Sequence, residues 1–217
     1  MIERSGEMDL ATTVSLAVLR GPVQLTKALV GINLLSDGRL TAGVGPGSSA
    51  RDYELVGIPF DERWKRFDDA LAVMRDPLRR EGIPLWIGSW GSRAGLARVA
   101  RMGDGWLASA YNTTPERFAD AQAALPGGFP NALATMWTWV SEDRAEGDRM
   151  LAEVLAPILG RDTEELRTQV CVGSAAHCAE LLSRYADAGC RRVYLWPLGD
   201  EARQLERVAS EVAPRLG

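Results

Sequence analysis

The chain has 217 residues, 46% of them hydrophobic, and its 29 acidic and 25 basic side chains give a net charge of −4. This length fits one large domain or two small ones with an ample core, and the absence of a basic block argues against nucleic acid as the main partner. No apolar run reaches membrane-spanning length and the N-terminus has no signal-peptide core, so we expect a cytoplasmic protein without membrane contact.

Strand-like and helix-like segments alternate along the chain. Apolar runs of strand length predict six strands, at residues 12–18, 40–44, 85–88, 105–109, 132–140 and 191–196. Helices are predicted at residues 22–35, 61–80, 92–102, 114–124, 141–159, 162–167, 174–188 and 200–212. The residues whose helical spacing marks the buried face of the helix at 61–80 are Phe60, Trp64, Phe67 and Leu71. In the strand at 132–140, alternation places the indoles of Trp137 and Trp139 on one face.

This alternation of strands and helices predicts an α/β fold with a parallel sheet, because parallel neighbours need crossover connections. No proline- or serine-rich linker divides the sequence, so residues 1–217 are predicted to form a single domain. Two architectures fit, an open doubly wound sheet and a β/α barrel. A complete eight-unit barrel takes about 250 residues, so six units at this length would form an incomplete one.

Two glycine-bearing loops follow predicted strands. Gly43 lies within the apolar run at residues 40–44, and Gly45 and Gly47 follow it. A second loop runs from Gly88 to Ser92. Glycine lets the backbone approach a ligand closely, so the two loops indicate a phosphate-carrying cofactor. The spacing is neither the dinucleotide fingerprint nor the P-loop, and the alternative, that these glycines only turn the chain at strand ends, stays open.

Cysteine and histidine usage gives no indication of a metal. The three cysteines, Cys171, Cys178 and Cys190, form no CxxC pair, and the single histidine, His177, is next to Cys178. The odd count argues against a disulfide scaffold, and one histidine with scattered cysteines does not make a zinc site. We therefore predict small helix-packing residues here and no metal.

Several stretches resemble, in the right order, the luciferase-like monooxygenase superfamily, and the F420-dependent oxidoreductase subgroup is the most similar. They include Gly-Pro-Val at 21–23, Leu-Ser-Asp-Gly-Arg-Leu at 35–40 continuing to residue 47, Gly-Ile-Pro-Phe-Asp-Glu-Arg at 57–63, Pro-Leu-Trp-Ile-Gly at 84–88, Gly-Asp-Gly-Trp at 103–106, Val-Gly-Ser at 172–174 and Ala-Gly at 188–189. The resemblance implies a (β/α)8 TIM-barrel type of fold with F420, or alternatively FMN, as cofactor. The match begins at the family's third strand, so we expect an incomplete barrel of about six β/α units, either a fragment or a reduced relative.

The resemblance also implies a cofactor site at the carboxyl ends of the strands. Gly43, Val44 and Gly45 are expected to pass beneath the ring or chain of the cofactor. Arg63 is at the position of a cofactor-contacting arginine, and the alternative for it is a salt bridge with Asp61 or Glu62.

The second loop is the strongest site prediction. Backbone N–H groups and hydroxyls at Gly88, Ser89, Trp90, Gly91 and Ser92 are predicted to hold a phosphate at a helix N-terminus, with simple capping by Ser92 as the alternative. Strand tryptophans either line an apolar substrate cavity or fill the core: Trp86, Trp106, Trp137, Trp139 and Trp196. No catalytic acid or base is identified.

The implied function is a hydride transfer between the deazaflavin or flavin and a small organic substrate, with oxygen insertion added if the cofactor is FMN. Two alternatives remain: a non-catalytic protein that stores or shields the cofactor, and a truncated fragment that binds nothing. The strand edges at 12–18 and 191–196 are predicted to lack partners, so we expect a homodimer that covers the gap.

Overall fold

The computed structural model describes residues 5–216, which form two compact units. The first unit holds the described residues up to Ser89 together with Arg93–Leu107 and Gly128–Pro130. The second holds Trp90–Ser92, Ala108–Gly127 and the described residues from Asn131 onward. Whether the chain behaves as the single predicted domain stays a prediction.

The first unit is a parallel sheet with helices in its connections. Its strands are β1 Leu10–Ala11, β2 Ser15–Leu16, β3 Leu40–Gly45, β4 Leu85–Gly88 and the first three residues of β5 Gly105–Ser109. Its helices are α1 Ala17–Arg20, α2 Pro22–Leu35, α3 Ala50–Leu55, α4 Arg63–Arg80 and α5 Arg93–Met102. Strands β1 and β2 both pair with β3, which pairs with β4, which pairs with β5, and every pairing is parallel.

The second unit is also built on parallel strands. Its strands, besides the end of β5, are β6 Asn131–Val140, β7 Cys171–Gly173 and β8 Val193–Pro197. Its helices are α6 Pro115–Ala123, α7 Arg144–Arg149, α8 Ala156–Leu159, α9 Thr163–Gln169, α10 Ala175–Asp187 and α11 Glu201–Arg207. Strand β6 pairs with both β7 and β8, with Trp139 opposite Val172 and Trp137 opposite Trp196.

The predicted elements agree with the structure except at a few places. The first predicted strand, at residues 12–18, is wrong as a single strand: residues 10–11 and 15–16 form two short strands, and a helix begins at Ala17. Strand β7 and helix α3 were not predicted, because three and six residues are too few to show a period. Among the described residues there are thus eight strands, not six, and no helix is both long and apolar enough to cross a membrane.

Helix α4 shows how the core of the first unit is built. Phe67 and Leu71 of the predicted apolar face are fully buried, and Met74 and Leu78 continue that face. The prediction that Trp64 belongs to it is wrong, since this side chain is 43% exposed and lies under the guanidinium of Arg98 at 4.9 Å. A cation–π contact of this kind lets an indole remain partly in water.

Asp68 on α4 and Arg98 on α5 form a two-pronged ion pair, with N···O distances of 2.7 and 3.1 Å. The hydrogen bond from Arg98 lowers the pKa of Asp68 below its ordinary value. The folded state thus favours the carboxylate, so the pair stabilises the fold above the unfolded-state pKa and this contribution is lost as pH falls through the folded-state pKa. We expect Asp68→Asn to cost about 1 kcal/mol of unfolding free energy at pH 7 and less below about pH 4.

Urea unfolding at pH 7 and at pH 3 checks this expectation. Asp69→Asn is the matched control, because Asp69 pairs with Lys65 at 2.8 Å where both side chains are largely exposed. An exposed pair contributes little, so the control is expected to unfold like the wild type at both pH values. A stability loss for Asp68→Asn that is equally large at pH 3 would contradict the assignment to this ion pair.

Candidate functional site

The segment Thr12–Val14 lies across the carboxyl end of β3 in the first unit. The Thr12 hydroxyl donates a hydrogen bond to the Gly43 carbonyl at 2.6 Å, and the peptide bond between Thr13 and Val14 is cis. A Cβ atom on Gly43 would lie 1.9 Å from the Thr12 carbonyl oxygen. Gly43 is therefore a glycine because the chain's own backbone occupies the space of a side chain.

The Val14 side chain lies next to two more of the glycines that the sequence predicts for the site. A Cβ atom on Gly45 would lie 2.8 Å from the Val14 side chain, and one on Gly88 would lie 3.2 Å from it. Gly45 and Val44 are buried, whereas Val14 is 36% exposed. Val14 thus forms an apolar ledge over the carboxyl ends of β3 and β4, and sequence reasoning missed it because no glycine pattern marks it.

The loop after β3 is held by a buried tyrosine. The Tyr53 hydroxyl donates to the Pro46 carbonyl at 2.5 Å, and the Tyr53 ring packs edge-on against Phe60 with centroids 5.4 Å apart. Burial raises the pKa of Tyr53 above its ordinary value, with a smaller opposing effect of Arg63 and Arg66. The phenol therefore stays protonated and fixes the loop that contains Pro46.

Arg63 lies at the start of α4 beside this tyrosine. Its guanidinium is 4.0 Å from the centroid of the Phe60 ring and donates to the Phe60 carbonyl at 2.9 Å. The alternative of a salt bridge with Glu62 does not occur, because Glu62 pairs with Arg66 at 2.7 Å. Within the described residues Arg63 has no ion pair, and its side chain is half-buried with a charge available to an anion.

The predicted loop at residues 88–92 is divided between the two units. In the first, the Ser89 N–H donates to the Leu107 carbonyl, and the Ser89 carbonyl accepts from Trp106 Nε1, both at 3.0 Å. These bonds tie the Ser89 backbone to β5, so its N–H is not available to a phosphate. In the second, Trp90 is 59% exposed and Gly91 has a φ of 85°, a conformation that glycine adopts without strain.

Two of the strand tryptophans belong to the packing of the first unit. Trp106 is 1% exposed and is part of the core. The ring of Trp86 lies over Gly105, where an added Cβ atom would come within 2.4 Å of the indole. Both indoles therefore take part in the packing of this unit.

A cavity of about 250 Å³ lies in the second unit, where β6 and β7 end. Its lining comes from separate stretches: Ser141, Glu142, Arg144, Gly147, Asp148, Arg167, Val172, Gly173, Ser174 and His177. Arg167 is paired with Asp148 at 2.7 Å, and the Ala175 N–H at the start of α10 donates to Glu142 at 3.1 Å. Because a carboxylate already occupies that helix N-terminus, the cavity does not offer a ready phosphate site.

The remaining tryptophans lie together on one side of β6 and β8. Trp137 and Trp196 pack edge-on with centroids 5.1 Å apart. Trp137 and Trp139 are half-buried, whereas Met136, Thr138 and Val140 between and beside them are buried. This difference confirms the predicted alternation along the strand.

Metal-binding side chains do not gather anywhere in the part of the chain that is described: no group of three or more His, Cys, Asp or Glu could hold an ion. Cys171 and Cys178 are both 1% exposed. A hydrogen bond between these thiols, together with burial, raises the pKa of Cys171. Cys171 therefore stays neutral, and both buried side chains belong to the packing of this unit.

Comparison with known proteins shows which family this chain resembles. The model of the luciferase-like monooxygenase family matches residues 1–83, and the resemblance found in the sequence is thereby confirmed. An uncharacterized protein of Mycobacterium tuberculosis is 29% identical over 111 residues, covering 41% of this chain and 38% of that protein. The 4-hydroxyprotoasukamycin monooxygenase of Streptomyces nodosus subsp. asukaensis is 27% identical over 175 residues, covering 69% of this chain and 44% of that enzyme.

Solved structures extend the likeness over nearly the whole chain. An F420-dependent secondary alcohol dehydrogenase, in complex with an F420-acetone adduct, has a TM-score of 0.78 at 15% identity, covering 100% of this chain and 82% of that one. The monooxygenase RslO1 from Streptomyces bottropensis has a TM-score of 0.75 at 17% identity, with 96% and 78% covered. The FMN-bound oxygenating constituent of 3,6-diketocamphane monooxygenase of Pseudomonas putida has a TM-score of 0.70 at 15% identity, with 96% and 80% covered.

These likenesses confirm the predicted fold class, an incomplete β/α barrel of the luciferase-like type. At identities of 14–17% they show the fold, not the reaction. The matched part of the chain spans less than half the length of the curated relatives. Activity, cofactor and substrate are accordingly matters for a proposal.

Proposed function

We propose that this chain binds F420, or alternatively FMN, and serves a hydride transfer between that cofactor and a small organic substrate. The observation that carries the proposal is the Val14 ledge, seated on Gly45 and Gly88 at the carboxyl ends of two parallel strands. Ligands of β/α barrels bind at that end of the strands. Solved neighbours that bind F420 and FMN support the class of cofactor.

The residues present suit a deazaflavin or flavin. The exposed Val14 side chain offers an apolar surface on which a planar ring packs, and it excludes water from one face of that ring. Tyr53 and Phe60 fix the loop beside this ledge and hold Arg63 in place. Arginine binds phosphate through two parallel N–H groups, so Arg63 would hold the phosphate of the cofactor.

The cofactor, when bound, supplies the hydride-accepting ring, and the protein supplies position and shielding. This division of roles accounts for a site assembled from an apolar residue, glycines and one arginine. The sequence predicts that Gly43, Val44 and Gly45 pass beneath the cofactor. We propose an indirect role for the two glycines, since both contact the segment that carries Val14. The Ser89 N–H is excluded from the predicted phosphate contacts because it is bonded to the Leu107 carbonyl, and the rest of the predicted loop at residues 88–92 stays a prediction.

Fluorescence titration of the purified protein with F420 and with FMN tests the proposal, and we expect F420 to bind more tightly. A loss of cofactor absorbance that depends on added substrate would then separate an enzyme from a storage protein. Binding of neither cofactor at millimolar concentration would overturn the proposal for this chain. Assembly as a homodimer stays a separate proposal.

Replacement of Arg63 by alanine tests the phosphate contact. We expect Arg63→Ala to weaken FMN binding by about 1–3 kcal/mol, because a charge-assisted hydrogen bond is removed. Riboflavin lacks the phosphate, so its binding is expected to be unchanged. Arg66→Ala, one turn away and engaged with Glu62, is the matched control. Equal losses for FMN and riboflavin would show that Arg63 supports the loop and does not bind phosphate.

A further inference from the structure

Strand β8, Val193–Pro197, is an edge strand of the second unit. In the part of the chain that the structure describes, it pairs with β6 and with no other strand. All five of its residues are half-buried, whereas all but one residue of β3 are buried. An edge strand presents unpaired backbone N–H and C=O groups to which another strand can add, so β8 is a candidate interaction surface.

The backbone groups at this free edge belong to alternate residues. The Arg192 carbonyl accepts from the Leu133 N–H at 2.8 Å, so Arg192 faces β6. Neighbouring residues of a strand direct their N–H and C=O groups to opposite edges, so Val193, Leu195 and Pro197 face away from β6. Pro197 has no N–H, and proline within sheets is confined to edges, strand starts and bulges. The free edge therefore offers the N–H groups of Val193 and Leu195 and the carbonyls of all three residues.

We propose that this edge pairs with the same edge of a second copy of the chain, antiparallel and about a two-fold axis at Leu195. This register overlaps the whole of β8. Each Leu195 exchanges both of its backbone hydrogen bonds with Leu195 of the second copy, and each Val193 N–H donates to the Pro197 carbonyl of the second copy. The two-fold axis closes the assembly at a dimer, since both free edges are then used.

The side chains of β8 suit this register. Tyr194 of one copy lies opposite Trp196 of the other, in the non-hydrogen-bonded position where side chains are closest. Aromatic residues that face each other across two strands stabilise the pairing. Trp196 already packs edge-on against Trp137 with centroids 5.1 Å apart, so the pairing extends an aromatic cluster from one copy into the other.

Charges at the two ends of β8 favour the antiparallel direction and a second copy as the partner. Arg191 precedes the strand, Asp200 and Glu201 follow it, and all three are exposed. Antiparallel pairing brings Arg191 of each copy toward the acidic residues of the other, whereas parallel pairing would bring like charges together. The contact of Asp200 within its own chain is long, 3.9 Å to Arg203, and both side chains are more than half exposed. The edge is thus complementary to itself in hydrogen bonding and in charge.

Light scattering at micromolar protein concentration tests the assembly, and we expect twice the 23.6 kDa mass of one chain. Val193→Pro removes one N–H of the free edge at the first residue of the strand, where proline fits. Its dissociation constant should therefore rise about tenfold or more. Val193→Ala keeps that N–H and is the matched control, so its dissociation constant should stay within about threefold of that of the wild type. Far-ultraviolet circular dichroism verifies that both variants are folded.

Exchange of the charges gives a second test, which leaves the backbone unchanged. Arg191→Glu and Glu201→Arg should each weaken the dimer about 3- to 10-fold, and the double variant should restore it, because unlike charges then face each other again. Three results would overturn the proposal: a monomer at every concentration, assemblies larger than a dimer, or a dimer whose affinity is unchanged by the charge variants or by folded Val193→Pro. None of these measurements involves F420 or FMN, so the outcome is separate from that of the cofactor titration.

Discussion

Replacing Gly43 with alanine is expected to lower the unfolding free energy by about 3 kcal/mol or more. The added Cβ atom would lie 1.9 Å from the Thr12 carbonyl oxygen and 2.5 Å from a methyl group of Leu107. The first neighbour is backbone and cannot rotate away, so the segment around Thr12 must leave β3. We therefore also expect the Gly43→Ala protein to lose any binding that depends on the Val14 ledge.

Urea denaturation measures this loss, and Gly31→Ala is the matched control. Gly31 is in the middle of α2, and a Cβ atom there would meet nothing within 4 Å. Alanine is the better helix former by about 1 kcal/mol, so this variant is expected to be slightly more stable than the wild type. A Gly43→Ala protein that unfolds at the same urea concentration as the wild type would show that Thr12 does not lie where the structure has it.

Much of the fold could be predicted because its central strands have simple local signals. Strands β4 and β5 and helix α2 have the predicted bounds, since continuous apolar runs end at glycine or serine and Pro22 starts the helix. The segment at residues 12–18 has the composition of a strand, but only two of its residues pair, with Val44 and Gly45. Pairing partners lie far away in the sequence, so composition alone does not reveal the break.

The candidate site was predictable only in part for a related reason. A glycine in a sequence indicates missing side-chain volume but not what occupies it, and the space at Gly43 is taken by Thr12, which is 31 residues away. Arg63 and Arg66 likewise have the same chemistry in the sequence. Only the structure shows that Arg66 is paired with Glu62 whereas Arg63 is stacked on Phe60.

The Val14 ledge links the glycines to the proposed cofactor without any direct contact of Gly43 or Gly45 with it. Both of these residues are buried, whereas Val14 is exposed by about a third. Changes at the glycines should therefore act on binding through the position of Val14. Gly88 is the most informative of the three, because an added Cβ atom there would be 3.2 Å from its nearest neighbour, a Val14 methyl group, and so would clash least.

Replacing Gly88 with alanine is expected to weaken cofactor binding about tenfold while the protein stays folded. The added Cβ atom would lie 3.2 Å from the Val14 side chain, which is closer than an ordinary contact, and 3.4 Å from the Val44 carbonyl oxygen. Val14 is partly exposed and can move toward solvent, so the unfolding free energy should fall by only about 1 kcal/mol. The displaced ledge would then obstruct the ring that packs on it.

The double variant Gly88→Ala/Val14→Ala separates binding from folding. Shortening Val14 relieves the contact with the new Cβ atom. The unfolding free energy of the double variant is therefore expected to return toward that of Val14→Ala alone. The two stability effects are then not additive, as expected for two residues in contact. Cofactor affinity should not return, because the apolar ledge is then missing. The double-mutant cycle is measured by urea unfolding and by fluorescence titration on four proteins: the wild type, the two single variants and the double variant. If affinity followed stability through all four proteins, Gly88 and Val14 would be packing residues only, and the cofactor would have to bind elsewhere.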